Sequence, residues 1–276
     1  MMTPSSVNIF SVGSRPHTPA YAVATLVTDR QHHADMRASL IGGGFSQTDC
    51  EYLAIDNTGN NQADAYRGLN ALLNAAQAPI VILCHQDIRL IADGRAHLDR
   101  TLAALTEADP TWAVAGNAGG IGPGRLAIRI SDPHGRNRHI GKLPARVQSL
   151  DENLLIVRRD ARIGFSIDLT GFHFYGADIC LHASQTGHTA YVIDFHLEHI
   201  SPGRKGADFV AAETAFRAKW SKALSPRWLQ TTCSLIRLSP GPVNRAMQGR
   251  FDRVFSGVVR RLPRSSGWKR LKAERA

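Results

Sequence analysis

The chain has 276 residues, 43% of them apolar, which is ample for a packed core and excludes a disordered chain. Its formal net charge is +10, but residues 226–276 carry 12 Lys/Arg against 2 Asp/Glu, while the other residues balance at 21 of each. A neutral globular body with a basic C-terminal segment follows, and such asymmetry points to an anionic surface, either membrane or nucleic acid.

Taken in chain order, YAVATLVT (Tyr21 to Thr28) predicts a buried strand, and Leu53 to Ile55 a second, closed by the turn-rich DNTGNN. Ala65 to Ala76 has helical spacing, with Leu69, Leu72 and Leu73 on one face. Pro79 resets the chain, and IVILC (Ile80 to Cys84) is the clearest strand. A helix is expected over His97 to Ala108 and a strand over Trp112 to Ala115. IGGGF (Ile41 to Phe45) and GNAGGIGPG (Gly116 to Gly124) read as loops, because neither sits between a strand and a helix as a dinucleotide fingerprint requires. LAIRI and RHIGKL flank SDPHGRN as a hairpin. Leu154 to Val157 is a short strand, Ile179 to Gln185 a helix, Tyr191 to Phe195 a strand, and Phe209 to Leu224 a helix. Continuous apolar strands alternating with helices imply a mostly parallel α/β sheet covered on both faces, whose ligands sit beyond the carboxyl ends of the strands.

Polar residues at those ends are the candidates for chemistry. Asp56 ends the second strand, where it can accept a hydrogen bond from a base or ribose, or make local turn bonds. Asp87, in CHQDIRL, can hold a divalent cation against a diphosphate or cap a turn. His85, two residues earlier, shares its face if the strand continues. Asp178, in GFHFYGADICLHA, opens a helix and can serve as its N-cap or as a general base. His196 and His199, in HLEHIS, follow a strand and can complete a metal site.

Together, NTGNN, the Ala65 to Asn70 stretch, IVILCHQDI, GFHFYGADICL and EHIS resemble the family 2 GT-A glycosyltransferases, nearest the group typified by a streptomycin-biosynthesis glycosyltransferase. The resemblance covers about Tyr21 to Trp220. It implies a GT-A domain over residues 17–222 and a basic amphipathic extension over 223–276. It further implies that Asp56, with Asn57 beside it, contacts the nucleotide, that Asp87 holds donor and metal, and that His199 closes the metal site. Asp178 would be the base on the acceptor. The expected cofactor is Mn²⁺ or Mg²⁺, and the expected partners are a nucleotide-sugar donor and a hydroxyl acceptor: a glycan, a lipid-linked molecule or a small molecule. His85 departs from the family's D-x-D pattern, and Gly176 stands where an acidic or polar residue is frequent. The implied reaction is inverting transfer; the alternative is a non-catalytic nucleotide-sugar-binding protein with a degenerate metal site.

The four cysteines lack zinc-finger spacing or a disulfide framework, the N-terminus lacks a signal peptide's features, and the longest apolar stretch falls far short of the roughly 20 residues of a span. A cytoplasmic protein, at most peripheral on the inner face of the membrane, is expected. Phe251, Val254, Phe255, Val258, Val259 and Leu262 form one apolar face among arginines, which suits a helix lying on an anionic membrane or packing on the body. The tail contains no recognisable nucleic-acid module, so no nucleic-acid partner is expected.

Overall fold

The structure, a computed structural model, describes residues 7–13, 18–203, 206–222 and 227–238. The expected helix over Phe251 to Leu262 lies outside the described residues. The chain runs β1 (Ile9–Ser11), β2 (Tyr21–Val27), α1 (Arg30–Gly42), β3 (Cys50–Asp56), α2 (Ala65–Ala75), β4 (Ile80–Cys84), β5 (Ile88–Leu90) and α3 (Arg95–Ala108). There follow β6 (Trp112–Gly116), β7 (Ala118–Gly122), β8 (Arg125–Asp132), β9 (Gly135–Ile140), β10 (Ala145–Val147), β11 (Ser149–Leu150) and β12 (Leu154–Arg158). The last elements are α4 (Tyr175–Gln185), β13 (Thr189–Val192), β14 (Leu197–His199), α5 (Ala207–Trp220), β15 (Arg227–Gln230) and β16 (Leu235–Leu238).

The fold is mixed α/β. An eight-stranded sheet has the order β1-β3-β2-β4-β12-β6-β13-β10. β3, β2 and β4 run parallel, and β13 runs parallel to β6, but β12 enters antiparallel between β4 and β6. β1 and β10 close the two edges antiparallel. A second sheet, β11-β7-β8-β14-β5 with β9 beside β8, is largely antiparallel. The mostly parallel sheet expected from the strand–helix alternation is thus a mixed pair of sheets.

Strand alternation sends neighbouring residues to opposite faces. Ala22, Ala24, Leu53, Ile55, Val81 and Leu83 join one core with α2, α4 and α5. Tyr21, Val23, Tyr52, Ile82 and Cys84 join the other with Met36 and Leu40 of α1 and Leu98, Leu102 and Leu105 of α3. α2 illustrates how sequence makes this surface. Asp64 caps it through the Arg67 N–H at 3.2 Å, and Leu69, Leu72 and Leu73 are buried on one stripe. Each such side chain is worth roughly 1.5–3 kcal/mol of burial.

The glycine-rich stretch expected as a loop is strand β7. Side chains are excluded there: a Cβ on Gly119 would strike the Ser149 carbonyl, and one on Gly120 the Gln230 carbonyl. The β15–β16 hairpin falls in the segment the sequence assigned to the extension, yet Leu229, Ile236 and Leu238 are buried in the same core as α5. Among the described residues, no helix is long and apolar enough to cross a membrane.

Candidate metal centre at the strand ends

The carboxyl ends of β2, β3 and β4 are laced together by side chains. Gln86, just past β4, accepts the Thr28 and Asp29 N–H groups at 2.8 and 2.9 Å and donates to the Thr28 hydroxyl at 2.7 Å. This fixes the turn from β2 into α1, whose N-cap Asp29 accepts the His32 N–H. Arg30, at the first turn of α1, then reaches Asp56 at the end of β3 (2.9 Å). Asp56 also accepts the Thr58 N–H and hydroxyl at 2.9 and 2.6 Å, and these bonds, with Arg30, hold its carboxyl down at about 2. Asn57 is buried; its amide donates to the Ala63 carbonyl and accepts from the Gln62 N–H, both at 2.9 Å. Asp56 is therefore at the crevice but engaged in a turn, and Asn57 pins the following loop.

The residues flanking Gln86 point the other way. His85 Nδ1 lies 3.2 Å from His199 Nε2, His199 Nε2 lies 3.4 Å from Asp87 Oδ1, and His85 Nδ1 lies 3.9 Å from the same oxygen. All three donor atoms fall within 4.8 Å of one another, a group able to hold a metal ion. His199 arrives from 114 residues away because β14 pairs antiparallel with β5, setting His199 opposite Ile88. The Ile200 N–H extends the ladder to the Asp87 carbonyl at 3.1 Å.

The surrounding contacts favour ligation. His85 Nε2 lies 2.8 Å from the Tyr175 hydroxyl, which donates to the Glu152 carbonyl at 3.2 Å. With Nε2–H donating to Tyr175, the lone pair of Nδ1 faces the cluster, as an outer partner commonly arranges for a metal-binding histidine. Burial and the neighbouring His199 push His85 down to about 4, leaving it neutral. Burial pushes the Asp87 carboxyl up, but His199, Ser201 and His85 outweigh it and hold it below the usual carboxylate range. Burial pulls His199 down, while the hydrogen bond and charge of Asp87 more than restore it and raise it above its ordinary value. Because a metal ligand must be deprotonated, metal binding at His199 would compete with its protonation.

Asp178 does not open its helix. α4 starts at Tyr175 after Phe174, whose left-handed φ of 67° turns the chain, so Asp178 lies in the fourth helical position. It is fully buried. Its oxygens accept the Ser166 N–H (2.7 Å), the Ser166 hydroxyl (2.6 Å) and the Trp220 indole N–H (2.9 Å), with His182 at 3.7 Å. Burial raises its carboxyl, and the Ser166 bonds, His182 and Trp220 oppose that rise. The structure thus joins His85, Asp87 and His199 in one group, places Asp56 at the end of a neighbouring strand, and sets Asp178 in a separate buried network. His196, also singled out in the sequence, is buried against the Ser131 hydroxyl at 2.9 Å.

Asp151, Glu152 and Tyr175 escaped the sequence reading. Leu154 pairs with Cys84 across the β12–β4 ladder, and the His85 N–H reaches the Asn153 carbonyl at 3.0 Å. The residues before β12 therefore lie beside those after β4, and the run D-E-N was the available signal.

No family model matches the chain. The crystal structure of A197 from STIV is similar over 65% of this chain and 84% of that one, at 11% identity and a TM-score of 0.40, too loose a likeness to establish a shared fold. A Fuscovulum blasticum protein described as "ATP synthase subunits region ORF 6" is 35% identical over 232 residues, covering 81% of this chain and 92% of its own length. At that identity and coverage, the chain belongs to the family of this ATP synthase subunits region ORF 6 protein.

Proposed function

We propose that this protein is a metal-assisted GT-A glycosyltransferase that moves a sugar from a nucleotide-sugar to a hydroxyl acceptor with inversion. The observation that carries the reading is the His85–Asp87–His199 group just beyond β4, one of three parallel strands whose carboxyl ends are tied together. A divalent ion held by His85, Asp87 and His199 would offset the charge of the leaving diphosphate. Two imidazoles and one carboxylate suit Mn²⁺ better than Mg²⁺, which prefers oxygen ligands and retains its waters. In this reading Asp56, at the end of β3, would meet the nucleoside once Arg30 releases it. Free, largely buried cysteines fit a reducing, cytoplasmic setting.

The non-catalytic alternative, a nucleotide-sugar-binding protein, draws on one observation: Asp178 is fully buried with both oxygens already engaged. The basic tail would bring either protein to an anionic membrane and a lipid-linked acceptor.

The test is a thermal-shift screen of UDP-, GDP- and dTDP-sugars with and without Mn²⁺. A ligand at 100 times its Kd stabilises the fold by about 2.7 kcal/mol. At least one donor should raise the melting temperature only when Mn²⁺ is present, and Asp87→Ala should abolish that difference. Metal-independent donor binding by the wild type would defeat the metal role.

A further inference from the structure

We propose that Tyr175 is the positioning residue of the metal centre: its hydroxyl holds His85 with Nε2 protonated and Nδ1 bare, so that His85 takes a first-row transition ion through Nδ1. This rests on the metal-binding half of the reading above and not on sugar transfer.

The direction of the hydrogen bonds follows from one carbonyl. The Tyr175 hydroxyl has a single hydrogen and donates it to the Glu152 carbonyl at 3.2 Å, which can only accept. The phenol oxygen then offers lone pairs alone, and His85 Nε2 stands 2.8 Å from it. A bond of that length needs a hydrogen, and the imidazole must supply it. Nε2 therefore carries the proton, and Nδ1 of the neutral ring is bare. Nδ1 is the nitrogen that faces His199 Nε2 at 3.2 Å and Asp87 Oδ1 at 3.9 Å, and those two atoms are 3.4 Å apart. A point equidistant from the three donor atoms lies about 2.1 Å from each, the length of a bond from imidazole nitrogen or carboxylate oxygen to an ion such as zinc.

The phenol is a fixed point. The left-handed turn at Phe174 makes Tyr175 the first residue of α4. Its ring is buried and stands edge-on to Tyr66 and Phe165, with centroids 6.3 and 6.0 Å away. Tyr66 is itself tied by its hydroxyl to the His173 carbonyl at 2.9 Å. Aromatic pairs of this kind prefer defined geometries, so the packing sets where the Tyr175 oxygen lies. Phenylalanine would keep that packing and remove the oxygen. His85 Nε2–H would then lack its acceptor, while a proton on Nδ1 could be shared with Asp87 or His199. The ring would gain the tautomer whose proton occupies the coordinating nitrogen.

The experiment compares the full-length wild type with Tyr175→Phe, and uses His85→Gln to identify the His85 signals. Imidazole nitrogen-15 shifts, recorded in EDTA near pH 8, show which nitrogen carries hydrogen. Mn²⁺ alone is then titrated by electron paramagnetic resonance, and Co²⁺ alone by visible absorption. Wild-type His85 should have Nε2 protonated and Nδ1 bare, and the chain should bind one ion. Tyr175→Phe should show Nδ1 protonation in the metal-free protein, an altered Co²⁺ band and an affinity about 10–100-fold weaker, the usual loss for a partner behind a ligand. Simple loss of packing would lower stability without changing the tautomer. Tyr175→Phe with the wild-type tautomer and Mn²⁺ affinity within about threefold of wild type overturns the proposal. Nδ1 protonation in the wild type overturns it even where the variant fails to fold. Wild-type protein that binds neither ion overturns the metal centre and the proposal together. Neither measurement involves a nucleotide-sugar, so the role of Tyr175 stands or falls apart from sugar transfer.

Discussion

Replacing Asp178 by asparagine exchanges one acceptor oxygen for an amide that can only donate. The carboxylate serves three donors: the Ser166 N–H on Oδ2, and the Ser166 hydroxyl and Trp220 indole on Oδ1. The amide is least damaging at the Oδ2 position, where it opposes a single N–H at 2.7 Å. A buried donor left without a partner costs about 1–3 kcal/mol, and the two remaining bonds lose their charge assistance, about 1 kcal/mol more. Partial recovery from His182, 3.7 Å from Oδ2, keeps the total near 2–4 kcal/mol. Because Ser166, α4 and α5 all meet at this carboxylate, the loss should be global. Urea unfolding followed by both tryptophan fluorescence and circular dichroism measures it, and should show a lower midpoint with an unchanged slope. Trp220→Phe removes one donor, so the double variant should lose less than the sum of the two single variants. Asp178→Asn within about 0.5 kcal/mol of wild type would refute the assignment of these three bonds as the reason Asp178 is buried.

Two further outcomes follow from Glu152 and its neighbour. The folded state holds the Glu152 proton up to about pH 8, whereas the unfolded chain releases it near 4.5. Between these values the native state binds the extra proton, so this group's contribution to stability falls as pH rises, by at most about 1.4 kcal/mol per pH unit, and levels off above the folded value. Glu152→Gln should therefore match the wild type near pH 5 and exceed it near pH 8.5 in melting temperature; parallel curves at both pH values would contradict the raised carboxyl. Gly176→Ala forces a methyl onto the Leu150 carbonyl and against Glu152. It should cost about 1–3 kcal/mol by denaturant titration. An alanine variant with wild-type stability would show that the backbone yields there at no cost.

What could be read in advance depended on how strongly each segment declares its own surroundings. IVILC became β4 as expected, since an apolar run between Pro79 and a polar turn has few other uses. The Leu69–Leu72–Leu73 stripe likewise became the buried face of α2. α1 was missed because only Met36 and Leu40 face the core, too few to mark a period among its polar residues. β7 was missed because its glycines serve close backbone approach, an interaction with atoms more than 25 residues away in sequence. At the site, the H-Q-D run was legible because it follows an obvious strand. Glu152 was not, because it precedes a strand. Only the direction of β12, antiparallel to both neighbours, carries the start of that strand to the same edge. Asp178 was placed at the front of its helix because the left-handed turn at Phe174, a residue that rarely adopts it, leaves no signature in composition.

His199 reaches its two partners on a strand of three residues, and this short ladder makes the centre more sensitive to chain length than to chemistry. Leu197 is buried and Glu198 is exposed on the opposite side. Inserting one residue between Phe195 and Leu197 would move every side chain of β14 to the other face. If pairing to β5 persisted, Glu198 would stand opposite Ile88 in place of His199 and confront Asp87 with a second negative charge. The imidazole would turn to solvent, and an apolar leucine would follow it there. Tolerance to substitution on β14 can therefore coexist with near-complete intolerance to a frame shift of a single amino acid, and the segment joining β13 to β14 acts as a ruler for the His85–Asp87–His199 group.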